Sequence, residues 1–178
     1  MLLSLSEIID CANLSTKRTL VCLAFAFCSL FSLRPAFCLD GLQSFVYPLL
    51  ATRLSSNFGD RKHPVQKVVR HHNGVDLAAP TGTPIRAVAG GRVVFADPYA
   101  GYGNLIVIDH GNTLTTHYGH CETISVKPGQ TVLPGAILGT VGQTGLATGP
   151  HLHFEIRRNG EPYDPLKIVP LLASKGEG

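Results

Sequence analysis

Short apolar runs separated by turn residues make up the chain from about residue 84 onward. Residues 104–109 (NLIVID) are an apolar run of strand length, and residues 151–157 (HLHFEIR) alternate strictly between polar and apolar positions. The turn signals between such runs are Gly90-Gly91, His110-Gly111-Asn112, Pro134-Gly135 and Asn159-Gly160. Strand signals at a spacing of roughly ten residues predict an all-β domain, a small antiparallel sandwich or barrel-like fold.

Within this pattern, Gly90-Gly91 lies at the centre of the apolar stretch 85–95, which predicts a hairpin turn or a bulge there. A sustained helical period is absent from residue 84 until the last ten residues of the chain. The glycine-rich stretch 142–149 is more typical of a turn than of a binding loop, and we expect it to border a groove.

The N-terminal region has a different pattern. Residues 19–33 (TLVCLAFAFCSLFSL) carry no charge and directly follow Lys17-Arg18, as in a secretory signal. This run is shorter than the ~20 apolar residues that a membrane-spanning helix needs. We expect residues 1–38 to be a signal peptide or an N-terminal membrane segment, with a buried or interfacial helix as the alternative. The protein should then be exported to the periplasm or cell envelope, or secreted.

Length and composition fit one folded domain after this segment. The chain has 178 residues, of which 44% are hydrophobic and 15% charged, and this is too apolar for a disordered protein. We expect a lead-in over 39–54, a domain over 55–170 and a tail over 171–178. The formal net charge of +3 excludes a strongly basic nucleic-acid binder, so no nucleic-acid partner is expected. Four of the five cysteines precede residue 39, which leaves Cys121 with no disulfide partner after export.

All eight histidines fall between residues 63 and 153, and two short motifs among them supply metal-ligand side chains. His72 and Asp76 form an H-x-x-x-D motif, with Asn73-Gly74 between them. On a straight strand these two side chains would stand about 13 Å apart, so a bend at Asn-Gly is the expected geometry. Taken alone, this motif fits an ordinary surface loop better than a metal site.

The second motif is His151-Leu152-His153, at the start of the alternating segment. The two-residue period of a strand places both imidazoles on one face and Leu152 on the other. One ring could then bind a metal while the other reaches a substrate, although a pair of exposed histidines on an edge strand explains the motif too. Glu155 continues the histidine face and is expected to be an exposed strand carboxylate, with a role as a histidine partner as the alternative.

The remaining histidines are expected to contribute less. His117 and His120 should face opposite ways on a strand, so at most one of them should join a site. His63 and His110 fit ordinary polar positions in a loop and a turn. His71 should point away from its neighbour His72 if the backbone there is extended.

The combination of motifs is far more specific than its parts. The matching stretches are SSNFGDRKHP (55–64), HHNGVDLAAPTGTPI (71–85), AGGRVV (89–94), GYGNLIVIDHG (101–111), HYGH (117–120), VKPGQTV (126–132), GTVGQTGLATGPHLHFEI (139–156) and NGEPYDPL (159–166). In order and spacing, residues 55–167 resemble the M23 peptidase family, the lysostaphin and LytM-type zinc endopeptidases of bacterial cell walls. The family usually has leucine after the histidine of its Y-x-H motif, where this chain has Cys121.

This resemblance implies a zinc endopeptidase with one Zn²⁺ per domain. His72, Asp76 and His153 correspond to the zinc ligands, and His120 and His151 to the catalytic histidines. The implied reaction is hydrolysis of peptide bonds in peptidoglycan cross-links or stem peptides by a metal-activated water. The expected partner is therefore the peptidoglycan substrate, and we expect a monomer, with membrane anchoring by the N-terminal segment as an option.

Two other functions compete with this reading. A non-catalytic relative could bind the wall or activate a separate hydrolase, but such relatives typically lack some of these five residues. A cysteine peptidase could use Cys121 beside His120. Neighbouring strand residues point to opposite faces, which makes them a poor nucleophile and base.

Overall fold

The structure of the protein is a computed structural model, and it describes residues 45–62 and 69–169. The expected signal segment, the C-terminal tail and His63 lie outside the described residues. The β-branched and apolar runs fold as strands, and turn residues separate them. The strands are β1 (Arg53–Ser56), β2 (Gly59–Lys62), β3 (Val69–His72), β4 (Val75–Ala78), β5 (Pro84–Arg86), β6 (Gly91–Pro98), β7 (Asn104–Asp109), β8 (Leu114–Ile124), β9 (Thr131–Val132), β10 (Ile137–Val141), β11 (His151–Arg158) and β12 (Glu161–Tyr163).

Helical structure is nearly absent from the described residues. A single 3₁₀ turn spans Ala100–Tyr102, and one helical turn, α1, spans Pro165–Ile168. Asp164 caps α1, because its side chain accepts a hydrogen bond from the Leu166 backbone N–H. Neither segment, nor any other helix in the described part, is long and apolar enough to cross a membrane.

The strands form one ten-stranded antiparallel sheet and a separate two-stranded ribbon. The order in the large sheet is β1-β4-β11-β8-β7-β6-β9, with β10 bridging β8 and β5, and β12 pairing with β11. The ribbon pairs β2 with β3. The predicted all-β antiparallel fold is confirmed. β11 lies between β4 and β8 at the middle of the sheet, and this position brings the two histidine motifs together.

The alternation along β11 determines which face is buried. Leu152, Phe154 and Ile156 are fully buried in the core, as the two-residue period predicts. They pack in one cluster with residues of the two long neighbouring strands, including Tyr118 on β8 and Leu77 on β4. The opposite face of β11 carries His151, His153 and the residues that follow them in the same period.

Three of the predicted turns are confirmed. The chain turns at His110-Gly111-Asn112 between β7 and β8, at Pro134-Gly135 between β9 and β10, and at Asn159-Gly160 between β11 and β12. At Gly90-Gly91 the hairpin alternative is wrong, because β5 pairs with β10 while β6 pairs with β7 and β9, and the irregularity that this stretch does contain lies between Val93 and Phe95. Gly91 instead allows close packing: a Cβ there would lie 2.4 Å from the Asp109 carbonyl oxygen on β7.

Candidate metal centre and active site

Three side chains from three strands converge at one point. His72 ends β3, Asp76 lies in β4, and His153 lies in β11 directly opposite Asp76. His72 Nε2 is 3.1 Å from Asp76 Oδ1 and 3.1 Å from His153 Nδ1, and the last two atoms are 2.8 Å apart. All three residues are buried. Of the described residues, these three form the group whose geometry could hold a metal ion.

The bend that the Asn-Gly pair predicts is what brings His72 to Asp76. Asn73 and Gly74 lie outside both strands, and the chain passes there from the two-stranded ribbon into the large sheet. Gly74 packs tightly against β11, since a Cβ at this position would lie 2.3 Å from the Phe154 carbonyl oxygen. The prediction of a bend between these two residues is confirmed.

Hydrogen bonds to the far side of each ring determine which nitrogen carries a lone pair. His72 Nδ1 lies 2.7 Å from the Asn57 carbonyl oxygen, so Nδ1–H donates and Nε2 faces the group unprotonated in the neutral ring. His153 Nε2 lies 2.9 Å from Glu155 Oε1, so Nε2–H donates and Nδ1 faces the group. In these tautomers two nitrogen lone pairs and a carboxylate oxygen point at one another, an arrangement that needs a proton or a metal cation between them.

This donor set fits a zinc ion. Imidazole nitrogen and carboxylate oxygen bind zinc at about 2.0–2.2 Å, and tetrahedral ligand atoms then stand about 3.3–3.6 Å apart. The observed separations of 2.8–3.1 Å need only a small expansion to reach that value. Three protein ligands are also the number found in catalytic zinc sites, which keep a fourth position open.

The same atoms create a strong preference for positive charge. Burial alone would raise the pKa of the Asp76 carboxyl, but hydrogen bonds with His153 and His72 outweigh it and hold that pKa well below its usual range. Burial alone would lower the pKa of His153, but hydrogen bonds to Asp76 and Glu155 raise it to about 8. The Asp76 shift arises because two imidazoles contact one carboxylate, and the His153 shift arises because two carboxylates contact one imidazole.

Glu155 corrects a prediction made from the sequence. It was expected to be an exposed carboxylate, but the residue is fully buried and accepts a hydrogen bond from His153. Burial alone would raise the pKa of Glu155, yet hydrogen bonds from His153 and Arg157 lower it to about 2. The error came from the general tendency of strand carboxylates to face water. Tyr102, outside the large sheet, covers this part of it and donates to Glu155 Oε1 over 2.7 Å.

The two predicted catalytic histidines lie beside the three-residue group. The ring centroids of His120 and His151 are 4.6 Å apart, and that of His120 is 5.9 Å from that of His153. His151 Nε2 is 3.7 Å from Asp76 Oδ1. The structure thus brings together all five residues that the sequence singled out.

Backbone carbonyls of the glycine-rich loop hold both rings. His120 Nδ1 lies 2.7 Å from the Thr144 oxygen and His151 Nδ1 lies 2.8 Å from the Gly149 oxygen. Because a carbonyl only accepts, each Nδ1 carries the proton and each Nε2 is left as a base in the neutral ring. Burial lowers the pKa of His120 to about 4, which keeps that ring neutral at ordinary pH. The expected position of the loop beside the site is confirmed.

A break in strand alternation places His120 in the site. β8 gains one residue relative to β7 between Tyr118 and Cys121, and His120 adopts a left-handed backbone with φ 59°. Tyr118 and Cys121 therefore both enter the core, and the ring of His120 turns toward His151. His117, opposite Glu155 on β11, lies on that same side. The expectation that His117 and His120 face opposite ways is therefore wrong, because the bulge resets the period.

His71 and His110 lie away from the five site residues. His71 points away from His72 as predicted, and its ring contacts Asp60 Oδ1 at 2.8 Å. His110 is half-buried, and its ring nitrogens lie 2.7 Å from the Gly90 oxygen and 2.8 Å from Thr116 Oγ1, a structural role.

Cys121 is unsuited to nucleophilic catalysis. Its thiol is buried and hydrogen-bonds to the Tyr118 carbonyl oxygen at 3.3 Å, and burial raises its pKa to about 12. The thiol therefore lacks both the exposure and the ionisation that a nucleophile needs.

A groove lies beside the site, at the edge of the sheet. Residues 54–60 line a cavity of about 590 Å³. Asn57 belongs to this lining and also holds His72, so the cavity adjoins the three-residue group. β1 is the edge strand here, since its only partner among the described strands is β4.

Sequence reasoning missed Tyr102 and Arg157, which contact Glu155. The alternation of β11 does place Arg157 on the face of His153, so its position could have been read from the period. Tyr102 lies in a 3₁₀ turn far along the chain, and nothing in its local sequence signals the contact. The carbonyl partners of the histidine rings are equally invisible, because backbone oxygens carry no sequence signature.

Comparison with known proteins agrees with this geometry. The sequence model of peptidase family M23 matches residues 70–165, a range that contains all five site residues. The chain is 46% identical over 124 residues to the DD-carboxypeptidase/endopeptidase Mpg of Neisseria meningitidis, covering 70% of this chain and 29% of that protein. It is 48% identical over 126 residues to the peptidoglycan DD-endopeptidase ShyA of Vibrio cholerae, covering 68% and 29%. The chain thus spans less than a third of the length of these curated relatives.

Solved structures with similar folds include two peptidases. A zinc-containing peptidase from Vibrio cholerae superposes with a TM-score of 0.64 at 41% identity, covering 68% of this chain and 39% of that one. The catalytic domain of lysostaphin from Staphylococcus simulans gives a TM-score of 0.61 at 30% identity, covering 67% and 92%. Because the family model matches residues 70–165 and the fold is shared with solved members, the chain belongs to peptidase family M23.

Proposed function

We propose that this chain is a zinc-dependent endopeptidase that hydrolyses peptide bonds in peptidoglycan cross-links or stem peptides. One observation carries the proposal: the donor atoms of His72, Asp76 and His153 converge, and the rings of His120 and His151 pack side by side next to them. Family membership supports it, as do the relatives named as peptidoglycan DD-endopeptidases.

In this proposal His72, Asp76 and His153 hold one zinc ion through Nε2, a carboxylate oxygen and Nδ1. Bound zinc supplies a Lewis acid that polarises the scissile carbonyl and acidifies water. The role of the protein is to hold the three donor atoms in position. Asn57 and Glu155 do so by fixing the tautomers of the two histidine ligands.

His120 and His151 handle protons. Each ring is anchored through Nδ1–H to a loop carbonyl, so Nε2 is the atom available for exchange. One Nε2 accepts a proton from the attacking water, and the other, once protonated, donates to the oxyanion or the leaving amine. Their side-by-side packing at 4.6 Å lets both reach one scissile bond.

The substrate is proposed to bind as an extended peptide. The groove lined by 54–60 runs along edge strand β1, and an extended peptide can add main-chain hydrogen bonds to such an edge. Action on the wall places the protein in the periplasm or cell envelope. Membrane anchoring by the N-terminal segment and a monomeric state are further parts of this proposal.

Two variants test the division between metal binding and catalysis. We expect His153→Ala to lose zinc and hydrolysis together, because it removes a donor atom. We expect His120→Ala to keep zinc and lose hydrolysis, because it removes only a base. Zinc content is measured by atomic absorption, and cleavage by chromatography of cross-linked muropeptides with and without a chelator.

Glu161→Gln serves as a surface control, since Glu161 is exposed on β12 and outside the site and the substrate groove. Full hydrolysis by metal-free protein would contradict the proposed function, and so would full hydrolysis by His153→Ala. A protein that binds zinc but cleaves no peptidoglycan peptide would identify a non-catalytic relative instead.

A further inference from the structure

A buried polar network lies behind the metal group, on the same face of β11. Glu155 is fully buried and has three donors. His153 Nε2 lies 2.9 Å from Oε1, the Tyr102 hydroxyl donates to Oε1 over 2.7 Å, and Arg157 Nε donates to Oε2 over 2.7 Å. Arg157 Nη2 also donates to the Tyr102 hydroxyl over 3.2 Å, which closes the ring of contacts.

This network is costly to build for stability alone. Removing the Glu155 carboxylate from water is unfavourable even beside the half-buried Arg157 guanidinium, and well-packed apolar residues can often replace a buried ion pair without loss of stability. The neighbouring positions on the other face of β11, Phe154 and Ile156, show that the strand readily accepts apolar residues. The charge on Glu155 therefore needs an explanation other than packing.

The explanation lies in what Glu155 contacts. Its carboxylate receives the Nε2–H of His153, which fixes the ring orientation and leaves Nδ1 directed at His72 and Asp76. A carboxylate on the far nitrogen also makes an imidazole a stronger metal donor. Tyr102 and Arg157 each hold one carboxylate oxygen, so Glu155 cannot rotate away from the ring.

We propose that Glu155 is a positioning residue for the ligand His153, and that Tyr102 and Arg157 act through Glu155 by fixing its carboxylate. The proposal rests on the proposed zinc function and names residues that the assignment of ligands and catalytic histidines leaves unused. The tyrosine ring adds a second restraint, since its centroid lies 5.5 Å from that of His153 in an edge-on contact.

The first test replaces the charge and keeps the shape. Glu155→Gln retains an oxygen that can accept from both His153 and Tyr102, but it loses the charge and turns an amide NH₂, which cannot accept, toward the Arg157 donor. We expect the zinc dissociation constant, measured by chelator competition, to rise about 10–100-fold. Glu161→Gln on β12 is the matched control, because Glu161 is an exposed strand carboxylate, and its zinc affinity should equal that of the unaltered protein.

The second test separates positioning from folding. Tyr102→Phe keeps the ring and removes only the hydroxyl, so it should fold and weaken zinc binding several-fold, less than Glu155→Gln does. Because Tyr102 acts through Glu155, the double variant should bind zinc no more weakly than Glu155→Gln alone. Cobalt substitution gives a spectroscopic check: the visible absorption of bound Co²⁺ should shift in both single variants, since the donor strength and orientation of His153 change.

Three results distinguish the outcomes. If either variant lowers the melting temperature of the metal-free protein but leaves zinc affinity and the Co²⁺ spectrum unaltered, the network is merely structural and the proposal is wrong. Additive losses in the double variant would likewise overturn the action of Tyr102 through Glu155. If the unaltered protein binds no zinc, it is the proposed function that fails.

Discussion

A methyl group at Gly74 should weaken the metal site without touching any ligand. Gly74 lies in the bend between His72 and Asp76, and a Cβ built there would lie 2.3 Å from the Phe154 carbonyl oxygen and 2.8 Å from Glu155 Cγ. Ordinary carbon contacts to such atoms are about 3.3–4.0 Å. Gly74→Ala must therefore push the bend and β11 apart by about 1 Å.

This displacement is large compared with what a metal site tolerates. Ligand distances have to fall within about 0.2 Å of their usual values, and His72 and Asp76 are on the opposite side of the clash from His153. Overpacking costs about 1–3 kcal/mol, so if the strain is relieved at the site the zinc dissociation constant rises roughly tenfold to a hundredfold. The metal-free protein should also melt a few degrees lower.

The assay is chelator competition for zinc, with thermal melting of the metal-free protein beside it. Gly149→Ala is the matched control, because nothing lies within 4 Å of a Cβ at Gly149 and its backbone has no left-handed φ. We expect its zinc affinity to stay within about twofold of the unaltered protein. Unchanged zinc affinity in Gly74→Ala would refute the reasoning, since the bend would then not determine the ligand geometry.

Three further predictions concern the neighbouring residues. His151→Ala should retain one zinc per chain by metal analysis, and its hydrolysis of muropeptides should fall about 10²–10⁴-fold; lost zinc would make His151 a ligand instead. Cys121→Ser should keep full hydrolysis, because the thiol is buried and a serine hydroxyl can still donate to the Tyr118 carbonyl oxygen, and a loss of hydrolysis at full zinc content would restore the thiol mechanism. Burial lowers the pKa of His120 from 6.5 to about 4, so the unfolded chain binds a proton there that the folded chain excludes. The melting temperature of the metal-free protein should therefore fall as the pH drops from 6.5 to 4, and less steeply in His120→Gln; equal slopes would contradict the burial of a neutral ring.

The strand period accounts for what could be predicted about β11. Alternation correctly placed His151 and His153 on one face and the apolar residues on the other, because successive side chains on a strand must point to opposite sides. The same period placed Glu155 beside His153. Whether that face is covered depends on Tyr102, which is distant in sequence, and so the burial of Glu155 was missed.

The position of His120 shows a second limit. Alternation along β8 predicts that His117 and His120 diverge, and a one-residue bulge cancels that prediction. The bulge depends on how β8 pairs with β7 and β10. The pattern of apolar and polar residues along β8 alone does not contain that information. The role of His120 could be inferred from the Tyr-Gly-His motif and its family resemblance. The strand period could not supply it.

Glycine pairs carry the same ambiguity. Asn73-Gly74 and Gly90-Gly91 both read as turn signals, and the first does form the expected bend. At Gly91 the absent side chain serves instead to let β6 approach Asp109 on β7. A glycine needed for close packing and a glycine needed for a turn look alike until the neighbouring strand is known.

The central claim is that one zinc ion held by His72, Asp76 and His153 enables hydrolysis of peptidoglycan peptides. The most direct measurement removes all metal with a chelator, titrates zinc back, and follows cleavage of cross-linked muropeptides at each addition. We expect no cleavage at zero zinc and a linear recovery that saturates at one equivalent per chain. Full cleavage by the metal-free protein, or no recovery at one equivalent, would contradict the claim.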